Sequence, residues 1–142
     1  MKVIFIGLLS LVLTSSQIWL TDFDKAKAES SEKHRHILLN FSGSDWCVPC
    51  IHLKKAVFDK TEFKNFADSS LILLNADFPR KNKLGKQQQQ HNEILAEKYN
   101  PGGKFPFTLL LDENGNILRQ WDGLPEITAE ELVSQIKATS DK

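Results

Sequence analysis

Cysteine is scarce in this chain: Cys47 and Cys50 are the only two among 142 residues. Two thiols three residues apart close too small a loop to brace a fold, which excludes a scaffold stapled by disulfides. No second Cys-x-x-Cys and no His pair completes a zinc tetrahedron, so no metal is expected. His52 follows Cys50 by two residues, but side chains at that helical spacing point to different faces, and it reads as solvated. His34 and His36 read as the lead-in to a strand. Excess charge of one sign is also missing, with Lys plus Arg at 18 and Asp plus Glu at 18. That balance removes the global field on which nucleic-acid binding or a strongly charged partner depends. There is no internal repeat and no domain boundary inside residues 19–138. A chain of 142 residues, 41% apolar, then has room for one ordinary core and not two.

Long hydrophobic runs are missing too, except at the N-terminus. Met1-Lys2 is followed by an apolar run from Val3 to Leu13 and then by Thr14-Ser15-Ser16-Gln17. A short positive start, an apolar centre and small residues at its end read as a secretory signal over residues 1–16, cleaved after Ser16. Ala26-Lys27-Ala28 mimics a cleavage site but lies behind several charges and inside a predicted helix. Cleavage after Ser16 removes one lysine from the 18 basic residues, leaving 17 against 18 acidic ones in a domain spanning 17–142. The alternative is an uncleaved anchor reaching Leu20, a stretch near the lower limit for spanning a bilayer and interrupted by Ser15-Ser16-Gln17. No cysteine follows the run, so a lipid-modified N-terminal cysteine is excluded.

Along the rest of the chain, Thr21 or Asp22 caps a helix through Lys25–Glu29 that is expected to fade at Ser30-Ser31. Ile37–Phe41 is an apolar run of strand length, as expected for a strand covered on both faces. After the cysteines, Ile51, Leu53, Val57 and Phe58 recur at helical spacing, and a short helix over Thr61–Ala67 carries Phe63 and Phe66. Leu71–Asp77 is a second buried strand, and the strand-helix-strand order implies a parallel pair. A basic loop, Phe78–Lys83, precedes a helix from Gln87 to Tyr99 that Asn100-Pro101-Gly102-Gly103 stops. Phe105–Leu111 and Ile117–Trp121 flank a turn centred on Asn114-Gly115 and pair as an antiparallel hairpin. Thr128 caps a last helix with Leu132, Val133 and Ile136 inward.

The cysteines fall where the first strand gives way to a helix. The turn Ser42-Gly43-Ser44-Asp45 leads into Trp46-Cys47-Val48-Pro49-Cys50, and Cys47 then lies at a helix N-terminus, where free N–H groups and the macrodipole favour negative charge. Such positions lower a thiol pKa to roughly 3.5–7.5 from about 8.5, and the thiolate is the species that attacks disulfides. Cys47 is the expected reachable nucleophile and Cys50, one turn further in, the buried resolving thiol. Half a zinc site has the same spacing, so the rest of the chain must decide.

Trp-Cys-x-x-Cys after an apolar strand, in the string Phe41-Ser42-Gly43-Ser44-Asp45-Trp46-Cys47, resembles the exported thioredoxin-like proteins of bacteria, members of the thioredoxin superfamily. The resemblance covers nearly the whole domain. It implies an α/β thioredoxin fold, a central mixed β-sheet flanked by helices on both faces, in a periplasmic protein. In that family a proline heading the third core strand has a cis peptide bond and packs against the dithiol, and Pro106 matches it. Phe105 and Pro106 would then form, beside Trp46, the groove in which a client disulfide lies across Cys47.

The resemblance further implies a thiol-disulfide oxidoreductase without a cofactor, whose redox-active disulfide joins Cys47 and Cys50. Its partners would be disulfide-containing client proteins and an upstream electron donor, for which a membrane thiol-disulfide interchange protein is the analogy; no nucleic acid is involved, and the working unit is a monomer. Val48 and Pro49, which tune the pair, offer neither charge nor a side-chain donor, unlike the histidine of strongly oxidising relatives, and this favours a reductase. One departure concerns a buried aspartate and lysine that many thioredoxins use to deprotonate the resolving thiol. With one extra residue in the turn those positions are Asn40 and Leu73, neither of which accepts a proton. Water or another carboxylate must serve; Asp45 is close in sequence but reads as an exposed turn residue. An oxidase or isomerase of the same fold, or a non-enzymatic peptide-binding module, remains the alternative.

Overall fold

A central strand built from the run before the cysteines organises the molecule. The computed structural model describes residues 18–123 and 126–141. The expected signal segment, its cleavage after Ser16 and the Leu124-Pro125 pair lie outside the described residues. The elements run α1 (Phe23–Lys33), β1 (His36–Ser42), α2 (Val48–Leu53), a π-helical turn (Lys54–Phe58), α3 (Thr61–Ser70), β2 (Leu71–Asp77), α4 (Lys86–Tyr99), β3 (Phe107–Leu111), β4 (Ile117–Asp122) and α5 (Ala129–Ser140). The sheet order is β2-β1-β3-β4. β1 pairs parallel with β2, Ile37 opposite Ile72, and antiparallel with β3, Ile37 opposite Leu111. β3 and β4 form the expected antiparallel hairpin, with an irregularity at Leu110/Leu111.

Because successive side chains on a strand point to opposite faces, each unbroken apolar run feeds two cores. Leu38, Leu73 and Leu110 share one with Leu53, Val57, Phe63, Leu132 and Ile136, from α2, the π-helical turn, α3 and α5. Ile37, Leu39, Ile72, Leu74 and Leu109 share the other with Ala26, Leu95 and Tyr99, from α1 and α4. The result is a three-layer α/β sandwich with helices on both faces. Ahead of α1, the Leu20 amide donates to Leu73 O at 2.8 Å and Leu20 O accepts from the Asn75 amide at 2.9 Å. Trp19 packs on Phe58 with ring centroids 5.1 Å apart. No helix among the described residues is long and apolar enough to cross a membrane.

Several local expectations need correction. α1 does not fade at Ser30-Ser31: Ser30 is fully buried, its hydroxyl donates to Arg35 O, and the helix ends only where His34 takes a left-handed conformation, φ 53°. Burial, with its hydroxyl paired, outweighs serine's weak helix propensity. α3 continues through Ser70, straight into β2, where the shorter helix was expected to stop at Ala67. Ile51 is 36% exposed and belongs to no inner face. The helix after the cysteines widens into π-helix, with the Asp59 amide reaching back five residues to Lys54 O at 2.8 Å.

Candidate active site

Parallel pairing of β1 and β2 brings their carboxyl ends together, and the dithiol turn rises from that end, where open sheets place their sites. Cys47 and Cys50 are joined by a disulfide, Cα atoms 5.2 Å apart. Cys47 is the N-cap of α2, and its Sγ accepts the Cys50 amide at 3.3 Å. Pro49 suits the first turn, where an amide hydrogen has no helical partner to lose. In this oxidised form neither cysteine is open, Cys47 being 4% and Cys50 6% exposed, so the expected contrast of a reachable and a buried sulfur is not one of exposure. Cys47 sits at the helix start, and it is Cys50 that lines a cleft of about 440 Å³, with Asn40, Ser42, Lys55 and Asn75.

Aromatic side chains wall the turn. The Trp46 ring meets Phe105 edge-on at 5.5 Å between centroids, and Phe105 meets Phe78 at 5.5 Å. Trp46 Nε1 donates to Phe78 O at 2.7 Å. Phe105 joins Pro106 through a cis peptide bond, and Pro106 is buried with its carbonyl accepting the Gly123 amide at 3.0 Å. The structure thus brings Trp46, Phe105 and the cysteine turn together. Val48 is 74% exposed and Pro49 exposed beside them, so the two middle residues face solvent.

Asp45 is a tether. Its carboxylate accepts the amides of Arg80, Lys81 and Asn82 at 2.9, 2.7 and 3.0 Å. The Arg80 amide first, then that of Asn82, holds its pKa below the usual 3.8 against an opposing effect of desolvation. An anion committed to three amides is a poor proton acceptor for Cys50. Asp77, at the end of β2, accepts from the Ser44 amide at 2.9 Å and from the hydroxyls of Ser42 and Ser44. Asn40 faces Asn75 on β2; Leu73 lies opposite Leu38, two residues back. Asn40 Nδ2 donates to Asn75 Oδ1 at 3.2 Å, and its Oδ1 accepts from Thr108 Oγ1 at 3.0 Å. A satisfied amide network therefore occupies the floor of the cleft. His52 is exposed, and no cluster of three or more metal-ligating side chains exists among the described residues.

Sequence reasoning missed Arg80, whose Cζ lies 3.9 Å from the Trp46 ring centroid, and Phe78, whose ring extends the aromatic wall. The signal available was their place just after β2, which parallel pairing puts beside the end of β1.

Comparison with known proteins agrees with this architecture. The family model described as thioredoxin-like matches residues 18–113. The disulfide bond reductase DsbH of Chlamydia pneumoniae is 33% identical over 106 residues, 75% of this chain and 63% of that protein. The thioredoxin-related protein DsbJ of the same organism is 27% identical over 106 residues, 75% of this chain and 30% of that protein. The chain thus spans 63% and 30% of the lengths of these two relatives. Among solved structures, DsbH oxidoreductase superposes with a TM-score of 0.81 at 31% identity, covering 89% of this chain and 86% of that one. A disulphide isomerase from Xylella fastidiosa, 17% identical with a TM-score of 0.61 over 80% of this chain and 87% of its own, shares the fold. Sequence match, strand order and the placed Cys-x-x-Cys converge: the chain belongs to the thioredoxin-like family.

Proposed function

We propose that this protein is an exported thiol-disulfide oxidoreductase that reduces disulfides in client proteins. The observation that carries the reading is the Cys47–Cys50 disulfide set at the first turn of α2, with the Cys50 amide directed at Cys47 Sγ. After reduction the same donor and the helix start favour the Cys47 thiolate. That thiolate attacks one sulfur of a client disulfide, forming a mixed disulfide and releasing the client's other sulfur as thiolate. Cys50 then loses its proton to water in the adjoining cleft and attacks Cys47 Sγ, which frees the second client sulfur and closes the protein's own disulfide. Two electrons pass to the client, whose two thiolates take up two protons.

A dithiol protein upstream must return those electrons, and a membrane thiol-disulfide interchange protein is the candidate. Trp46, Phe105 and Pro106 form the client groove, and an extended segment pairs there with backbone. Val48 and Pro49 supply nothing that stabilises a thiolate further, which supports reduction over oxidation. The working unit in this reading is a monomer, and the signal over residues 1–16 delivers the domain to the periplasm.

Insulin reduction by dithiothreitol tests the reading: the wild type accelerates it and Cys47→Ser abolishes the acceleration. Equal rates for the two proteins would leave a binding module in place of an enzyme. A reduction potential near about −270 mV agrees with a reductase, whereas one near about −120 mV makes the protein an oxidase.

A further inference from the structure

We propose that the rim of the site selects client segments carrying a carboxylate next to the disulfide, and that Arg80 binds it. The inference rests on the reductase reading and adds the client class to it. Arg80 lies over Trp46, its Cζ 3.9 Å from the ring centroid, directly beside the residue that precedes Cys47. A guanidinium laid over an indole face keeps its in-plane N–H donors at the edge, in the fork that matches a carboxylate. Among the described residues Arg80 makes no ion pair.

Its position is held from two sides. The Arg80 amide donates to Asp45 at 2.9 Å, and the Trp46 indole donates to Phe78 O at 2.7 Å, so loop and turn are clamped together.

The carboxylates that tie turn and loop together, Asp45 and Asp77, accept backbone amides and serine hydroxyls and nothing from the Arg80 guanidinium. Asp45 is occupied by three amides and faces Lys81. Asp59 pairs with Lys54 at 2.9 Å. Arg80, Lys83 and the cleft-lining Lys55 are exposed and form no ion pair among the described residues. In a chain whose 18 basic and 18 acidic residues cancel, Arg80 is an exposed cation set directly against the residue before Cys47. Exposed Val48 and Pro49 give a client backbone an apolar surface to lie on.

Two disulfide peptides, identical except for aspartates or lysines flanking the cysteines, test this with wild type, Arg80→Gln, Arg80→Glu and Arg80→Lys. The wild type favours the acidic peptide in kcat/KM by about threefold to fivefold, the range of one exposed charge pair. The ratio falls to near one in Arg80→Gln and below one in Arg80→Glu, with the change in KM, and stays above one in Arg80→Lys. High salt collapses the wild-type preference. A ratio near one in the wild type, or an equal ratio in all four proteins, overturns the proposal while leaving the reductase reading intact. If the wild type reduces neither peptide, the reductase reading itself fails.

Discussion

At Gly43 the active-site turn leaves no space for a side chain: a Cβ built there stands 2.3 Å from Trp46 Cε2 and 2.5 Å from its Nε1. Gly43 O also accepts the Cys47 amide at 2.9 Å, so the same residue sets the approach to the N-cap. The glycine is legible in sequence as a turn residue, yet its requirement is the indole lying against its Cα, which local pattern does not encode. Gly43→Ala must push the ring off Phe105 and Phe78 O. The expected cost is about 1–3 kcal/mol, the range for overpacking. Denaturant unfolding measures it, and the Trp46 indole N–H resonance reports the lost bond to Phe78 O. A variant as stable as the wild type with an unmoved resonance would show that the ring yields freely.

Among the elements, those defined by runs of apolar residues were readable and those defined by partners were not. β2 falls at Leu71–Asp77 because its run is unbroken, and Thr128 closes a capping box with Glu131. Both cysteines were readable as one unit because their spacing alone puts them on one helical turn. The π-helical turn, the amide pair Asn40–Asn75 and the tie between the dithiol turn and the loop after β2 depend on residues about thirty-five positions apart or on five-residue hydrogen bonds. Asp45 is the centre of that tie, and its lowered pKa gives the tie a pH signature. A carboxylate whose pKa is depressed on folding contributes stability that is complete above its unfolded pKa and is lost as pH falls through the folded one. Asp45→Asn removes that contribution. The stability gap between wild type and Asp45→Asn is therefore expected to be constant above about pH 5 and to narrow as pH falls below the usual 3.8, as read from guanidinium midpoints. A gap unchanged down to strongly acid pH would mean that the anion contributes nothing to the tether.

On the scale of the whole molecule, the sheet divides two cores of unequal consequence for the chemistry. Leu38 and Leu39 are neighbours in sequence, both fully buried, and lie in different cores. Leu38 shares its layer with Leu53 and Val57, on the helix that begins at the disulfide. Leu39 shares its layer with Ala26 and Leu95, from the helices of the far face. Truncating either leaves a cavity, and Leu→Ala in a packed core costs about 2–5 kcal/mol. Similar losses in denaturant midpoint are thus expected for Leu38→Ala and Leu39→Ala. Their effects on thiol exchange differ, because only the first loosens the support under α2 and the wall of the cleft beside Cys50. Insulin reduction, measured where both variants remain folded, should fall further for Leu38→Ala. Equal rates in two equally destabilised variants would mean that the sulfurs are positioned by the turn and the aromatic wall alone, and that the core beneath α2 serves stability without shaping the reaction.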